Sequence, residues 1–198
     1  MSALVLASSS AIRARMLAAA GVDAIIDPAA IDEARIKAGS QAAGGDAGSC
    51  AQLLAEAKAE HIAGRHRGAL VLGADQILEC DGRWFDKPRD LEEARAQLQA
   101  LSGRTHRLIT AAAVVRDSAV LWRAIETARL TMRCVSEAFL DRYLAAMGKR
   151  VLATVGGYEL EGLGAQLMTR VEGDYFAILG LPLLPLLAFL REDGALAA

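Results

Sequence analysis

The segment LITAAAVVRDSAVLWRAIETARLTMRC, Leu108–Cys134, decides how the rest of the chain is read. Its first half, Leu108 to Val115, is a nearly unbroken apolar run and reads as a strand. In its second half, Val120–Cys134, Ala128, Leu130, Met132 and Cys134 alternate with Thr127, Arg129, Thr131 and Arg133. That period of two marks a strand with one apolar and one polar face. Only a short polar turn at Asp117-Ser118 separates the halves. Strands joined so tightly pair antiparallel, because a parallel crossover needs a dozen or more residues. The sheet is therefore not purely parallel.

Working outward, helices and strands alternate. Leu4 to Ala7 reads as a short buried strand, followed by a helix that Ser10 caps, with Ile12, Met16, Leu17 and Ala20 on its stripe and Gly21 as its stop. Gly39 to Gly48 is rich in Gly and Ala and reads as a loop. Ser49 with Gln52 forms a capping box for a helix to about His61. Ala69 to Gly73 is the continuous apolar run of a central strand, and Asp81-Gly82 is a hairpin turn returning into Arg83, Trp84 and Phe85. Asp90 with Glu93 opens a helix that ends by Gly103, and Ser136 opens another that Gly148 closes. A Gly-rich bend, Gly156 to Gly164, precedes a last helix starting at Pro182. The expectation is one α/β domain over residues 1–198, with a mixed, partly antiparallel sheet flanked by helices and two lobes around a cleft.

Composition narrows the function classes. The chain has 198 residues, enough for one substantial core, and its 54% hydrophobic and 23% charged content carries no disorder signature. A net charge of −2 and the lack of basic runs exclude a broad field for nucleic acid or an acidic membrane. Cys50, Cys80 and Cys134 lie far apart and form no metal or redox spacing, nor do His61, His66 and His106. The opening apolar run is too short for a secretion signal and has its arginines on the wrong side, and Phe176 to Leu190 is too short to span a bilayer. The expected setting is the cytoplasm.

The residues that suggest chemistry are charges placed where a core should be apolar. Asp75 directly follows ALVLG and Ala74, so it sits at or near the end of a central strand, where open α/β sheets place ligands. Lys58 falls on the stripe Leu54, Lys58, Ile62, and its ammonium either snorkels to solvent or meets a negative group inside the fold. Pro88 holds Lys87 in an extended backbone that presents its side chain in a fixed direction. Glu33 follows Asp32 at a loop or helix start. Carboxylates at Glu33 and Asp75 suit a hard divalent cation, while Arg13, Lys58 and Lys87 suit phosphates. Neither a Walker loop nor a Rossmann glycine fingerprint is present.

Six segments in order, LVLASSSAIRARML, Ile31-Asp32-Glu33, LLAEAKAE, LVLGADQILECDGRWFDKP, LSGRTHRLIT and GGYELEGLGAQL with GDYFAILGLPL, resemble the Maf proteins from Leu4 to about Leu190. The resemblance implies a nucleoside triphosphate pyrophosphatase, cleaving between the α and β phosphates, with a fold like that of the inosine triphosphate pyrophosphatases. It implies Mg2+ or Mn2+, a homodimer, phosphate-binding roles for Ser8, Arg13, Lys58 and Lys87, metal binding at Glu33 and Asp75, and Asp75 as proton acceptor. The alternative is a nucleotide-binding regulator of cell division with little turnover.

Gln76 and Glu161 stand where the branch preferring dTTP and UTP has Thr and Gln, and so resemble the branch preferring 7-methyl-GTP. N7 methylation makes guanine cationic, and a carboxylate attracts it more than an amide does. Tyr158, where that branch often has Phe, and Ala11-Ile12, where the family has Pro followed by Arg or Trp, depart from the pattern. Arg15 is expected at the surface, and Ser102 to His106 is expected to be a structural turn into a strand.

Overall fold

The computed structural model describes residues 3–197. Its elements are β1 (Leu4–Leu6), α1 (Ala11–Ala19), β2 (Ala24–Ile26), α2 (Glu33–Ala42), α3 (Ala47–Ala63), β3 (Leu70–Cys80), β4 (Arg83–Phe85), α4 (Leu91–Leu101), β5 (Thr105–Arg116), β6 (Ala119–Met132), α5 (Glu137–Met147), β7 (Met168–Glu172), α6 (Tyr175–Ile178) and α7 (Leu183–Glu192). The strands join in one sheet in the order β2-β1-β3-β5-β6-β7, with β4 also pairing to β3. β1 runs parallel to both β2 and β3, while the β3–β4 and β6–β7 pairs are antiparallel. The sheet is mixed, as the Leu108–Cys134 pattern requires.

The chain divides into two compact units. The first comprises residues 1–76, 110–126 and 174–198, and the second residues 77–109 and 127–173. In the first unit the side-chain period of two sorts the core. Leu4, Leu6, Leu70 and Leu72 pack with Leu17 of α1 and with Leu186 and Leu190 of α7. Val5 and Val71 point the other way and pack with Ala59 and Ile62 of α3. In the second unit Asp81 (φ 51°) and Gly82 (φ 79°) make the β3–β4 turn with two left-handed residues, the turn that matches strand twist. Asp90 accepts from the Glu93 amide to start α4, and Ser136 from the Phe139 amide to start α5.

Several local expectations are corrected. The Gly39–Gly48 segment is mostly helical: α2 continues to Ala42 and α3 begins at Ala47. Asp46, not Ser49, caps α3: the helix begins at Ala47, which makes Ser49 a first-turn residue whose amide donates to the Asp46 carboxylate. Ser10 occupies the N-cap position of α1, yet its side chain makes no cap bond; Ser8 Oγ accepts the Ser10 amide instead, at 3.2 Å. Cys134 lies beyond the end of β6 and is exposed. Asp75 falls inside a strand of eleven residues, not at its end, because apolar residues resume at Ile77 and Leu78.

Candidate functional site

The alanines of α3 let it approach β3 closely. Ala51, Ala55 and Ala59 are fully buried on the face toward the sheet, and Gly73 lies under them. A Cβ built on Gly73 would stand 2.0 Å from the Ala55 carbonyl oxygen and 2.9 Å from the Ala59 amide, so only glycine permits this approach. The approach delivers Lys58 to the strand. Its Nζ donates to Asp75 Oδ1 at 2.6 Å and lies 3.0 Å from Glu33 Oε1. Lys58 is 7% exposed and Asp75 5%. The open question about the lysine is therefore answered in favour of an internal negative partner. Glu33 is the first residue of α2, set there because Asp32 caps the helix by accepting from the Arg35 amide.

Asp75 Oδ2 is buried and has no hydrogen-bond partner. Buried carboxylate oxygens are normally paired, so this one is held ready for something that enters the site. Among the described residues no three His, Cys, Asp or Glu side chains form a metal-binding cluster. Two carboxylates joined through one ammonium, with a free oxygen on Asp75, suit a cation such as Mg2+, which takes one or two protein carboxylates and completes its shell with water and phosphate oxygens. Glu33 and Asp75 fit that role.

The turn after β1 gathers donors of the kind that suit an anion. Ser8 Oγ accepts from both the Ser10 amide and Arg13 Nη1, the latter at 3.0 Å, which leaves its own proton to donate. Arg13 Nη1 also donates to the Ala74 carbonyl at 2.9 Å, and Nε to the Gly180 carbonyl at 2.7 Å. Three of the five guanidinium donors thus hold the group in place, and the two on Nη2 remain for a ligand. Burial lowers the Arg13 pKa, opposed by the negative charges of Asp75 and Glu33. Ser8, Arg13, Glu33, Lys58 and Asp75 are thus brought together in the first unit.

Gln76 is on the opposite face of β3 from Asp75. Its Nε2 donates to Thr110 Oγ1 at 2.8 Å and meets the carbonyls of Ala177 at 3.0 Å and Ile178 at 3.1 Å. The nitrogen side of this amide is committed to the protein, which leaves only the oxygen to read a base. Gly73, Thr110 and Gly180 were not singled out from the sequence. Gly73 closes the ALVLG run and could have been noticed there; nothing local marks Thr110 or Gly180.

Lys87 and Glu161 belong to the second unit and both are exposed, Lys87 just past β4 and Glu161 in the bend before Gly164. The bend is anchored from below. His106 Nε2 and Tyr158 Oη lie 2.6 Å apart, and Tyr143 Oη donates to the Gly157 carbonyl at 3.1 Å. Burial pushes the His106 pKa down to about 4, so a neutral imidazole serves as a strut, in line with the structural reading of that turn. Arg15 is exposed, as expected.

Residues 3–193 match the family model described as Maf-like protein. A protein of Paramagnetospirillum magneticum named nucleoside triphosphate pyrophosphatase is 54% identical over 96% of this chain and 98% of its own length. A protein of Granulibacter bethesdensis with the same name is 51% identical over 98% of each chain. One of Mesorhizobium japonicum named 7-methyl-GTP pyrophosphatase is 50% identical over 98% of this chain and 97% of its own.

Proposed function

From the premise that this chain belongs to the Maf family, we propose that it hydrolyses nucleoside triphosphates between the α and β phosphates, releasing a monophosphate and pyrophosphate. The observation that carries this reading is the Glu33–Lys58–Asp75 array, with Lys58 and Asp75 buried, beside the Ser8–Arg13 turn. Pyrophosphoryl chemistry needs positioning and charge neutralisation more than covalent help, and this array offers both.

In the mechanism, Ser8 and the Nη2 edge of Arg13 bind phosphate oxygens. Lys58 holds Asp75 in place through Oδ1, and the Asp75 carboxylate orients the attacking water and accepts its proton. Such a base typically contributes about 10² to 10⁴ in rate. Glu33 and Asp75 would hold Mg2+ or Mn2+, which when bound neutralises charge building on the phosphate oxygens. Lys58 meanwhile keeps the two carboxylates apart and compensated.

The preferred base in this reading is a 7-methylguanine-like one. Glu161 offers a carboxylate to a cationic ring, and the Gln76 oxygen accepts from a base N–H. Relatives of about 50% identity bear both the general and the 7-methyl-GTP name, which is compatible with that preference. The family resemblance further supports a homodimer working in the cytoplasm. Among the described residues no helix is long and apolar enough to cross a membrane.

The test is pyrophosphate release from a panel of nucleotides with Mg2+ or Mn2+. Release by the native protein, abolished by Asp75→Asn, is expected. Tight nucleotide binding without release would instead favour the regulator of cell division.

A further inference from the structure

Thr110 is fully buried in β5, and the mechanism gives it no work. Its Oγ1 donates to the Ala177 carbonyl at 2.8 Å, so toward Gln76 Nε2, also at 2.8 Å, it must accept. Side chains from two neighbouring strands, β3 and β5, therefore grip the same turn of chain. That turn needs outside support. α6 has only four residues, and its one side-chain cap is Asp174 accepting from the Ala177 amide. Just beyond it Gly180 adopts φ +102° and directs its carbonyl at Arg13 Nε, 2.7 Å away. A Cβ on Gly180 would stand 3.3 Å from that same nitrogen, so the turn and the guanidinium are in close contact.

We propose that Thr110 and Gln76 are positioning residues for phosphate binding: they fix the 177–180 turn, and the Gly180 carbonyl in turn fixes the plane of the Arg13 guanidinium. This rests on the reading of Arg13 as a phosphate-binding group. It differs from a direct contact between Gln76 and the base, because a brace that acts through Arg13 affects every triphosphate alike, including one with no base at all.

The experiment uses the full chain, Thr110→Val, which keeps the branched shape and loses the hydroxyl, and Thr110→Ser, which keeps the hydroxyl. KM and kcat are measured for 7-methyl-GTP and for UTP, and the Kd of inorganic tripolyphosphate is measured with Mg2+. Thr110→Val breaks two buried hydrogen bonds, and the part of that loss transmitted to Arg13, on the order of one hydrogen bond, corresponds to about a five- to tenfold change in an affinity. Thr110→Val is expected to raise both KM values and the tripolyphosphate Kd by that factor, with kcat within about twofold, the signature of lost uniform binding. Thr110→Ser is expected to restore all three. A folded Thr110→Val protein with unchanged KM and Kd overturns the proposal, and so does a KM change confined to one base. If Thr110→Val fails to fold, Gln76→Met, which lacks the N–H donors at similar length, is read by the tripolyphosphate Kd alone, because that ligand has no base for the Gln76 oxygen to contact. Should neither nucleotide be cleaved while tripolyphosphate binding still weakens in Thr110→Val and recovers in Thr110→Ser, the brace stands and the pyrophosphatase reading falls. A native protein that binds no tripolyphosphate removes the Arg13 premise and the proposal with it.

Discussion

Gly73 and Ala55 lie in backbone contact: a methyl group on Gly73 would be placed 2.0 Å from the Ala55 carbonyl oxygen. The obstacle is backbone, which cannot swing aside as a flexible side chain can. Gly73→Ala must therefore push α3 off the sheet and carry Lys58 away from Asp75. Overpacking of this kind costs about 1–3 kcal/mol in stability. The catalytic loss is expected to be larger than that cost suggests, because a displacement near 1 Å at reacting groups can cost about 10² in rate. Urea unfolding and pyrophosphate release measure the two separately; a variant with the native midpoint and native turnover would refute the assignment.

Lys58 and Asp75 form a buried ion pair; removing the lysine strands the Asp75 carboxylate, whereas removing the Asp75 charge leaves Lys58 beside Glu33. Lys58→Met is expected to destabilise the fold by about 3–5 kcal/mol. Asp75→Asn removes the charge while keeping the shape, and is expected to lose about 10² to 10⁴ in kcat. In the double variant Lys58→Met/Asp75→Asn the stability losses should not add, since no uncompensated carboxylate remains at Asp75. A double-mutant cycle by chemical denaturation reads this directly, and strict additivity would count against the coupling.

The neutral His106 makes stability depend on pH. Its folded-state pKa, about 4, lies below the ordinary histidine value of 6.5, so the unfolded chain binds a proton first as pH falls. The stabilisation is fully present above the unfolded value and is lost as pH drops from about 6.5 to 4. A shift of this size corresponds to roughly 3 kcal/mol. Denaturant midpoints measured at pH 7, 5.5 and 4.5 should fall through this window, and His106→Gln should flatten the fall. An equally steep fall in the variant would assign the acid sensitivity to other groups.

Glu161 is exposed in a bend whose base is tied down by Tyr158 and Tyr143. If its carboxylate attracts a cationic base, Glu161→Gln should lower kcat/KM for 7-methyl-GTP by about tenfold while leaving UTP within a factor of about two. Competition between the two nucleotides in one assay gives the ratio, and an unchanged ranking would end the base-reading role.

The legible parts of this fold were those carried by local pattern. Alternation in Ala128, Leu130 and Met132 predicted β6, and Asp81-Gly82 predicted the left-handed turn that the structure contains. Asp90 and Ser136 cap their helices as read. Local pattern failed where composition was ambiguous: the Gly39–Gly48 segment looked like loop because Gly and Ala are small, but there the helices on either side extend into it. In the site, a charge on an apolar stripe was enough to mark Lys58. Its partner among nearby carboxylates was not readable, because pairing depends on how closely α3 meets β3. Thr110 and Gly180 were invisible for a related reason. Their roles arise from contacts across 67 and 167 residues of chain, with Ala177 and Arg13 respectively.

The two units are drawn from interleaved stretches of chain, with boundaries at 76–77, 109–110, 126–127 and 173–174. Neither corresponds to a single stretch that could be cut out and expressed. β3, β5 and β6 each begin in one unit and finish in the other, so a deletion designed around either would sever three strands in mid-course. A crossover placed at 76–77, 109–110 or 126–127 therefore falls in the middle of a strand and not in a loop.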